Sequence, residues 1–293
     1  MKMPTNGNIR EALNKGKEML RDAGIDAPAV DAGVLLSFAV NKDKAFLYAH
    51  GEYELNAREW AEYIEYIGRR AKGEPLRYIT GRQEFMSLDF IVAPGVFVPR
   101  RETELLVEAA LEYFNASREN KTPRMLDIGA GSGCIAVSVA YYLPECRVFA
   151  LDISAKALEI ARLNAVKMGV ADRVFFIESD LFAGLHAKKP DFLFDAVVSN
   201  PPYVRSADID ALQKEVRDFE PREALDGGAD GLDFHRAIVK DAPMFLKAGG
   251  LLALETGYNQ GEAVLELMKE RFGGLRLIKD LAGIGRVAAG YLK

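Results

Sequence analysis

The chain has 293 residues, 49% hydrophobic and 28% charged, with a formal net charge of −5. That apolar content is enough for a sizeable core and excludes disordered and fibrous classes, and the length suits two domains or one large one. The mildly acidic balance argues against coating nucleic acid in bulk, and no run approaches the roughly 20 apolar residues of a membrane span. The opening MKMPTNGNIREALNKGKE has no signal-peptide core. Cys134 and Cys146 offer neither a disulfide framework nor metal-ligand spacing. A cytoplasmic protein with no metal is therefore expected.

In chain order, the first seventy or so residues read as helices. Ile9, Ala12, Leu13, Gly16, Met19, Leu20 and Ala23 share one helical face, stopped at Gly24. Asp26 and Pro28 read as the N-cap and early first turn of a second helix, with Val30, Val34, Leu35 and Phe38 as its buried stripe. A third opens at Asn56 with Glu59 as a variant capping box, turns Trp60, Ile64, Ile67 and Ala71 inward, and ends at Gly73 before Pro75. From Arg77 to Val98 the chain is rich in aromatic and β-branched residues, which suits a hairpin. The division expected is a helical domain over 1–74, a hairpin linker over 75–100 and an α/β domain over 101–293.

After a helix over about 102–114 and the polar stretch NASRENKTP, short apolar strands alternate with helices. RMLDIGAG, RVFALD, RVFFIESD, FDAVVSN, GGLLALETG, LRLIKDLAG and RVAAGYLK read as strands. The alternation predicts a mainly parallel sheet covered on both faces.

Two turns in this region carry chemistry. Gly129, Ala130, Gly131, Ser132 and Gly133 lie between a strand and a helix, where glycines permit a tight turn and close backbone approach to a ligand. Asp152 ends the next strand, 23 residues after Gly129, and a carboxylate there can accept from both hydroxyls of a ribose. These features indicate an adenosine-type cofactor. A dinucleotide site prefers G-x-G-x-x-G, whereas this spacing is G-x-G-x-G followed by Cys134, and resembles that of S-adenosylmethionine-dependent methyltransferases.

The second turn is Asn200-Pro201-Pro202-Tyr203, after the apolar run FDAVVS. Two prolines stiffen the backbone and leave carbonyls without competing N–H groups. The Asn200 side-chain oxygen and the Pro201 carbonyl can hold both hydrogens of a planar –NH₂ group, and Tyr203 can stack on its plane. Such a nitrogen has a delocalised lone pair and is a poor nucleophile, so orienting it and stabilising the charge that develops on it are what catalysis requires. These residues do not separate a side-chain amide from an exocyclic amine of a nucleic-acid base. Ser132 does not sit in a hydrolase elbow, because Ala130 stands where glycine is needed. His50, His186 and His235 have no ligand spacing.

Over most of its length the chain resembles the release factor glutamine methyltransferases. The resemblance runs through GEPLRYITGRQEF (73–85), VPRRETELLVE (98–108), LDIGAGSGCIA (126–136), VVSNPPY (197–203), FEPREALDGGADGLDFHRAI (219–238) and DLAGIGRV (280–287). It implies an N-terminal helical substrate-recognition bundle, a linking hairpin and a seven-stranded Rossmann-like sheet whose last strand is antiparallel. Gly129 to Gly133 would line the S-adenosylmethionine site, Asp152 would bind the ribose, and Leu181 would lie against the adenine. Asn200 would touch cofactor and substrate, and Asn200 to Tyr203 would hold the target glutamine. Arg100, Glu102 and Thr103 would lie near the cofactor.

The implied substrate is the glutamine of the Gly-Gly-Gln loop of class I peptide chain release factors, with S-adenosylhomocysteine as product; the alternative is the same chemistry on a ribosomal-protein glutamine or on an exocyclic amine of a nucleic-acid base. A monomer with no stable nucleic-acid partner and no membrane association is expected. Arg101, the pair Met86-Ser87 and Gly285 depart from the family pattern. Residues 66–101 carry seven Lys or Arg against three acids, which suits either an acidic partner or an ordinary ion-paired face.

Overall fold

The computed structural model describes residues 7–116, 122–188 and 192–293. Residues 1–6 of the opening segment and 117–121 of the polar stretch lie outside the described residues. Two compact units emerge: residues 1–81 with 213–219, and residues 82–212 with 220–293.

The first unit is helical. Helix α1 (Ile9–Asp22) begins with a capping box in which Asn8 accepts from the Glu11 N–H and Glu11 accepts from the Asn8 N–H, and Gly24 follows with φ of 75°. Helix α2 (Pro28–Val40) has Pro28 in its first turn, but its N-cap is Ala27 without a side-chain bond, not Asp26. Its buried face is also rotated from the expected stripe. Asp31, Ala32, Leu35 and Leu36 are buried, whereas Val30 and Phe38 are 58% and 40% exposed. The reason is a buried ion pair: Arg70 Nε donates to Asp31 at 2.7 Å, and that carboxylate turns inward in place of the valine. Helix α3 (Lys44–Ala49), capped by Asp43, is too short to show periodicity. Helix α4 (Ala57–Ala71) starts at the Asn56–Glu59 box, and α5 (Leu76–Thr80) follows Pro75. Tyr78 to Thr80 are thus helical, not the start of a strand, because Gly81 at φ of 70° is the break that precedes the hairpin.

In the second unit, β1 (Arg82–Phe85) and β2 (Leu88–Ile91) form an antiparallel hairpin. Met86 and Ser87 are its two turn residues, with φ of 50° and 57°, the left-handed pair a tight hairpin needs. Strand character ends at Ile91, short of the expected Val98, where Pro94 and Gly95 intervene. A 3-10 turn (Arg101–Thr103) then leads into α6 (Glu104–Ala116).

The sheet is built from β3 (Arg124–Ile128), β4 (Arg147–Asp152), β5 (Val174–Glu178), β6 (Phe194–Ser199), β7 (Leu246–Glu255), β8 (Phe272–Lys279) and β9 (Gly285–Leu292). Helices α7 (Cys134–Tyr142), α8 (Ala155–Lys167), α9 (Ala183–Lys188), α10 (Lys214–Phe219), α11 (Asp233–Asp241) and α12 (Gly261–Met268) intervene, and α10 groups with the first unit. Strand order is β5-β4-β3-β6-β7-β9-β8, with β9 antiparallel to both neighbours. Strand β8 stops at Lys279, and the following Asp280–Gly283 is a turn rather than strand. Successive residues feed opposite faces. Met125, Ala196 and Val198 pack in a layer with Leu106, Val137 and the hairpin's Phe85 and Phe90. Leu126, Val197 and Leu252 pack with Ile238, Val264 and Phe272. The order reverses between β3 and β6, and the crevice at such a switch point is where open α/β sheets bind ligands.

A candidate active site at the carboxyl ends of four strands

The glycine turn and the tetrapeptide leave β3 and β6 side by side, since Ile128 pairs with Ser199. Gly129, Gly131 and Gly133 have φ of 72°, 55° and 79°. Left-handed backbone at three positions is what demands glycine there. The Gly129 and Ala130 N–H groups donate to the Leu151 carbonyl at 2.8 and 2.9 Å, which folds the turn onto the end of β4. A Cβ at Gly133 would lie 2.8 Å from the Ala161 Cβ on α8, whereas one at Gly131 would meet nothing within 4 Å. One glycine serves packing; the other leaves a face open.

Asp152 locks this loop. Its Oδ2 accepts from the Gly131 N–H at 2.7 Å and its Oδ1 from the Ser154 N–H at 2.8 Å. Burial raises its pKa, against the lowering effect of those backbone donors. Each carboxylate oxygen retains a lone pair for a further donor. Behind the turn, fully buried Asp127 accepts from the Ala136 N–H at 3.1 Å, and burial pushes its pKa up to about 7. The Ser132 hydroxyl is buried without a partner among the described residues. Asn164 on α8 joins the turn to the hairpin: its amide donates to the Ser132 and Ile91 carbonyls, both at 2.9 Å, and accepts from the Ile91 N–H at 2.7 Å. Beyond β5, Leu181 is held at φ of 44° by the Ser179 hydroxyl, which donates to its carbonyl at 2.7 Å.

The tetrapeptide abuts the turn, with the Asn200 carbonyl 3.8 Å from where a Gly129 Cβ would lie. Asn200 Nδ2 donates to Thr103 Oγ1 at 3.1 Å. The Tyr203 carbonyl accepts from Gln260 at 2.9 Å. The segment after it returns beneath: the Val204 N–H donates to the Leu225 carbonyl and the Gly227 N–H to the Val204 carbonyl. A Cβ at Gly227 would lie 2.8 Å from both the Pro202 carbonyl and the Tyr203 Cα, so glycine lets this segment buttress the tetrapeptide.

One buried group at this edge has no counterpart in the sequence reading. Glu255 ends β7 directly after Leu254, which pairs with Ser199. It is 2% exposed, and burial raises its pKa to about 7, partly offset by the neighbouring Thr103 and Tyr203 hydroxyls. His235 Nε2–H donates to its carbonyl at 2.8 Å. A polar residue closing an apolar strand is the signal that could have found it. Arg100 pairs with Glu220 at 2.6 Å, and Arg286 with Asp280 at 2.8 Å.

A profile for the PrmC N-terminal domain matches residues 11–81, and one for the methyltransferase small domain matches residues 87–218. The chain is 44% identical to a release factor glutamine methyltransferase of Moorella thermoacetica, over 97% of this chain and 98% of the relative. It is 43% identical to the one of Geobacter sulfurreducens over 97% and 96%, and 42% identical to the one of Koribacter versatilis over 96% and 98%. The chain belongs to the release factor glutamine methyltransferase family.

As a member of that family it is an enzyme of methyl transfer, on an α/β sheet of seven strands. Its departures from the family pattern lie outside the two loops. Met86-Ser87 is the hairpin turn, Arg101 is exposed in the 3-10 turn, and Gly285 faces Leu277, whose Cδ2 would lie 2.5 Å from a Cβ there. Of the basic residues in 66–101, Arg69 pairs with Glu74, Arg70 with Asp31 and Glu215, Arg82 with Asp89 and Arg100 with Glu220. Cys134 is buried, and burial pushes its thiol well above the ordinary range, which suits packing and not reactivity. Among the described residues no helix is long and apolar enough to cross a membrane.

Proposed function

We propose that this protein transfers a methyl group from S-adenosylmethionine to the side-chain nitrogen, N5, of the glutamine in the Gly-Gly-Gln loop of class I peptide chain release factors. One observation carries the reading: a stiff Asn200–Tyr203 loop of oxygen acceptors abuts an open glycine turn at the switch point of the sheet. The release-factor substrate follows from the near full-length relatives, which are release factor glutamine methyltransferases.

The residues present fit the cofactor. Asp152 is fixed by two backbone donors and keeps acceptor capacity for a ribose diol. Gly131 presents backbone with open space where a side chain would stand, and the Ser132 hydroxyl is an unpartnered polar group at the same turn. Leu181, held in its left-handed conformation, offers an apolar face for the adenine. When bound, S-adenosylmethionine supplies an electrophilic methyl group and is converted to S-adenosylhomocysteine.

The chain's own residues do the orienting. The Asn200 Oδ1 and Pro201 carbonyl accept the two N–H bonds of the glutamine amide, and the Tyr203 ring covers its plane. Held this way, the nitrogen rehybridises toward the methyl group, and the acceptors stabilise the positive charge that develops on it. One of the two protons is lost to water. Recognition of the release-factor protein is assigned to the N-terminal helical unit, because every side chain described above at the two loops comes from the second unit.

The test is mass spectrometry of a class I release factor after incubation with the enzyme and S-adenosylmethionine. One added methyl on the Gly-Gly-Gln glutamine is expected. A methyl on another residue, or on RNA only, would contradict the substrate assignment.

A further inference from the structure

The geometry points to Gln260 as a positioning residue that fixes Tyr203, the closing residue of the tetrapeptide; this rests on the function proposed above. Gln260 stands at the N-cap of α12, yet its side chain does not cap that helix as a serine or aspartate there would. It turns instead toward Tyr203, 57 residues earlier in the chain, and its Nε2–H donates to the Tyr203 carbonyl at 2.9 Å.

The direction of that bond is forced. A side-chain amide has one accepting end and one donating end. The Gly257 N–H donates to Gln260 Oε1 at 2.9 Å, and a backbone N–H cannot reverse its role. Nε2 is therefore the end that faces Tyr203. The Asp230 and Gly231 carbonyl oxygens, each 3.5 Å from Nε2, make the same demand. In the flipped orientation N–H would meet N–H at Gly257, and the amide oxygen would meet three carbonyl oxygens at its other end.

What Gln260 holds is one side of the peptide unit between Tyr203 and Val204. The other side is held as well, because the Val204 N–H donates to the Leu225 carbonyl at 2.9 Å. Pro201 and Pro202 have no N–H for the fold to grip, so the tetrapeptide is fixed from its two ends. At one end the Asn200 side chain donates to Thr103; at the other stands the clamped peptide. The clamp places the Tyr203 Cα and carbonyl carbon, and the ring-locked φ of Pro202 restricts the approach from the opposite side. The direction of the Tyr203 Cβ follows, and with it the way the ring covers a bound amide. The surroundings are shaped to this arrangement. A Cβ at Gly257 would lie 2.6 Å from Gln260 Oε1 and 3.0 Å from Tyr203 Cδ2, and one at Gly231 would collide with both the Tyr203 carbonyl oxygen and Gln260 Nε2. Gly257 has no left-handed φ, so the missing side chain there makes room for Tyr203 and Gln260 and does not serve backbone conformation.

The experiment compares Gln260→Glu and Gln260→Leu with wild type at pH 8. Three readouts are taken: single-turnover methylation of intact class I release factor at saturating S-adenosylmethionine, affinity for S-adenosylmethionine, and the Tyr203 ring resonances of tyrosine-labelled protein, assigned with Tyr203→Phe. Gln260→Glu keeps the size of the side chain and the acceptor for Gly257, but sets an ionised oxygen against three carbonyl oxygens. It is expected to slow turnover about 30-fold. Gln260→Leu removes the bond without adding repulsion and should slow turnover about tenfold. The order discriminates. Were Gln260 serving only Gly257 and the start of α12, Gln260→Glu, which retains that bond, would be the milder change. Cofactor affinity should stay within about threefold in both variants, which also reports that the second unit is folded, because the glycine turn and Asp152 are anchored on other strands. The Tyr203 ring resonances should shift in both. Turnover of Gln260→Glu within about threefold of wild type, Gln260→Leu slower than Gln260→Glu, or unchanged Tyr203 resonances would each overturn the assignment. A wild-type enzyme that leaves the release factor unmethylated would sink the substrate reading instead, and the resonances, recorded without substrate, would still decide the positioning.

Discussion

The glycine turn and the tetrapeptide occupy adjacent strand ends, yet they are built in opposite ways. The turn is made of backbone. Its shape comes from three left-handed glycines, and its anchors, the Leu151 carbonyl and the Asp152 carboxylate, lie on the next strand. The tetrapeptide presents side chains, and those must be aimed from outside. Thr103 reaches the Asn200 side chain across 97 residues of sequence, and Gln260 fixes the Tyr203 backbone carbonyl beside it across 57. A site made of backbone is specified locally; a site made of side chains depends on whatever the fold brings beside them.

Three substitutions break or sharpen that contrast, in decreasing order of effect. Gly133→Ala strikes the turn alone. The residue would have to hold φ of 79° and place a Cβ 2.8 Å from that of Ala161. Left-handed strain and overpacking together predict a loss of about 3 kcal/mol in denaturant unfolding. A stability within 0.5 kcal/mol of wild type, roughly the scatter of a surface substitution, would mean the turn is not locally determined.

Glu255→Gln probes the buried carboxyl that ends β7, on the strand beside the tetrapeptide's own. Burial raises the folded pKa of Glu255 from an ordinary 4.5 to about 7. The folded state therefore holds its proton more tightly than the unfolded chain does. The stability this contributes is fully present below pH 4.5 and is lost as pH rises through about 7. Glutamine does not ionise, so the variant should gain up to about 3 kcal/mol relative to wild type at pH 8 compared with pH 4, read from urea midpoints. Asp127, also raised to about 7, remains in both proteins and leaves a residual slope of the same sign. A constant difference between variant and wild type across that range would show that Glu255 is not desolvated as described.

The smallest effect belongs to the hairpin. Ser87 holds φ of 57° without being glycine. Ser87→Gly should relieve that strain and stabilise the protein by about 0.5–1 kcal/mol, less than the strain itself because glycine is freer in the unfolded chain. A lower melting temperature in the variant would argue that the Ser87 side chain contributes more than its backbone strain costs.

The same contrast explains what could be read in advance. Strand β6, buried throughout, is legible as an apolar run, and the glycine turn by its spacing. The buried face of α2 departs from its apolar stripe because Asp31 is buried against Arg70, a pairing across 39 residues that no local pattern shows. The expected hairpin exceeds the observed one because Tyr78 and Ile79 have strand-forming side chains, while Pro75 and Gly81 frame them as a helical turn. At the site, Asn200 and Tyr203 were legible by type and place. Thr103 was reached through family resemblance alone, and Glu255 and Asn164 not at all, since nothing near them in sequence names their partners.

The division of labour between the two loops is tested most directly by the single-turnover rate of Asn200→Ala on a class I release factor at saturating S-adenosylmethionine. If the glycine turn and Asp152 hold the cofactor while Asn200 orients the amide, the rate falls at least about 100-fold while cofactor affinity, measured on the same protein, stays within about threefold. A rate within about threefold of wild type would contradict the account at its centre, because the amide would then be oriented by something other than the tetrapeptide.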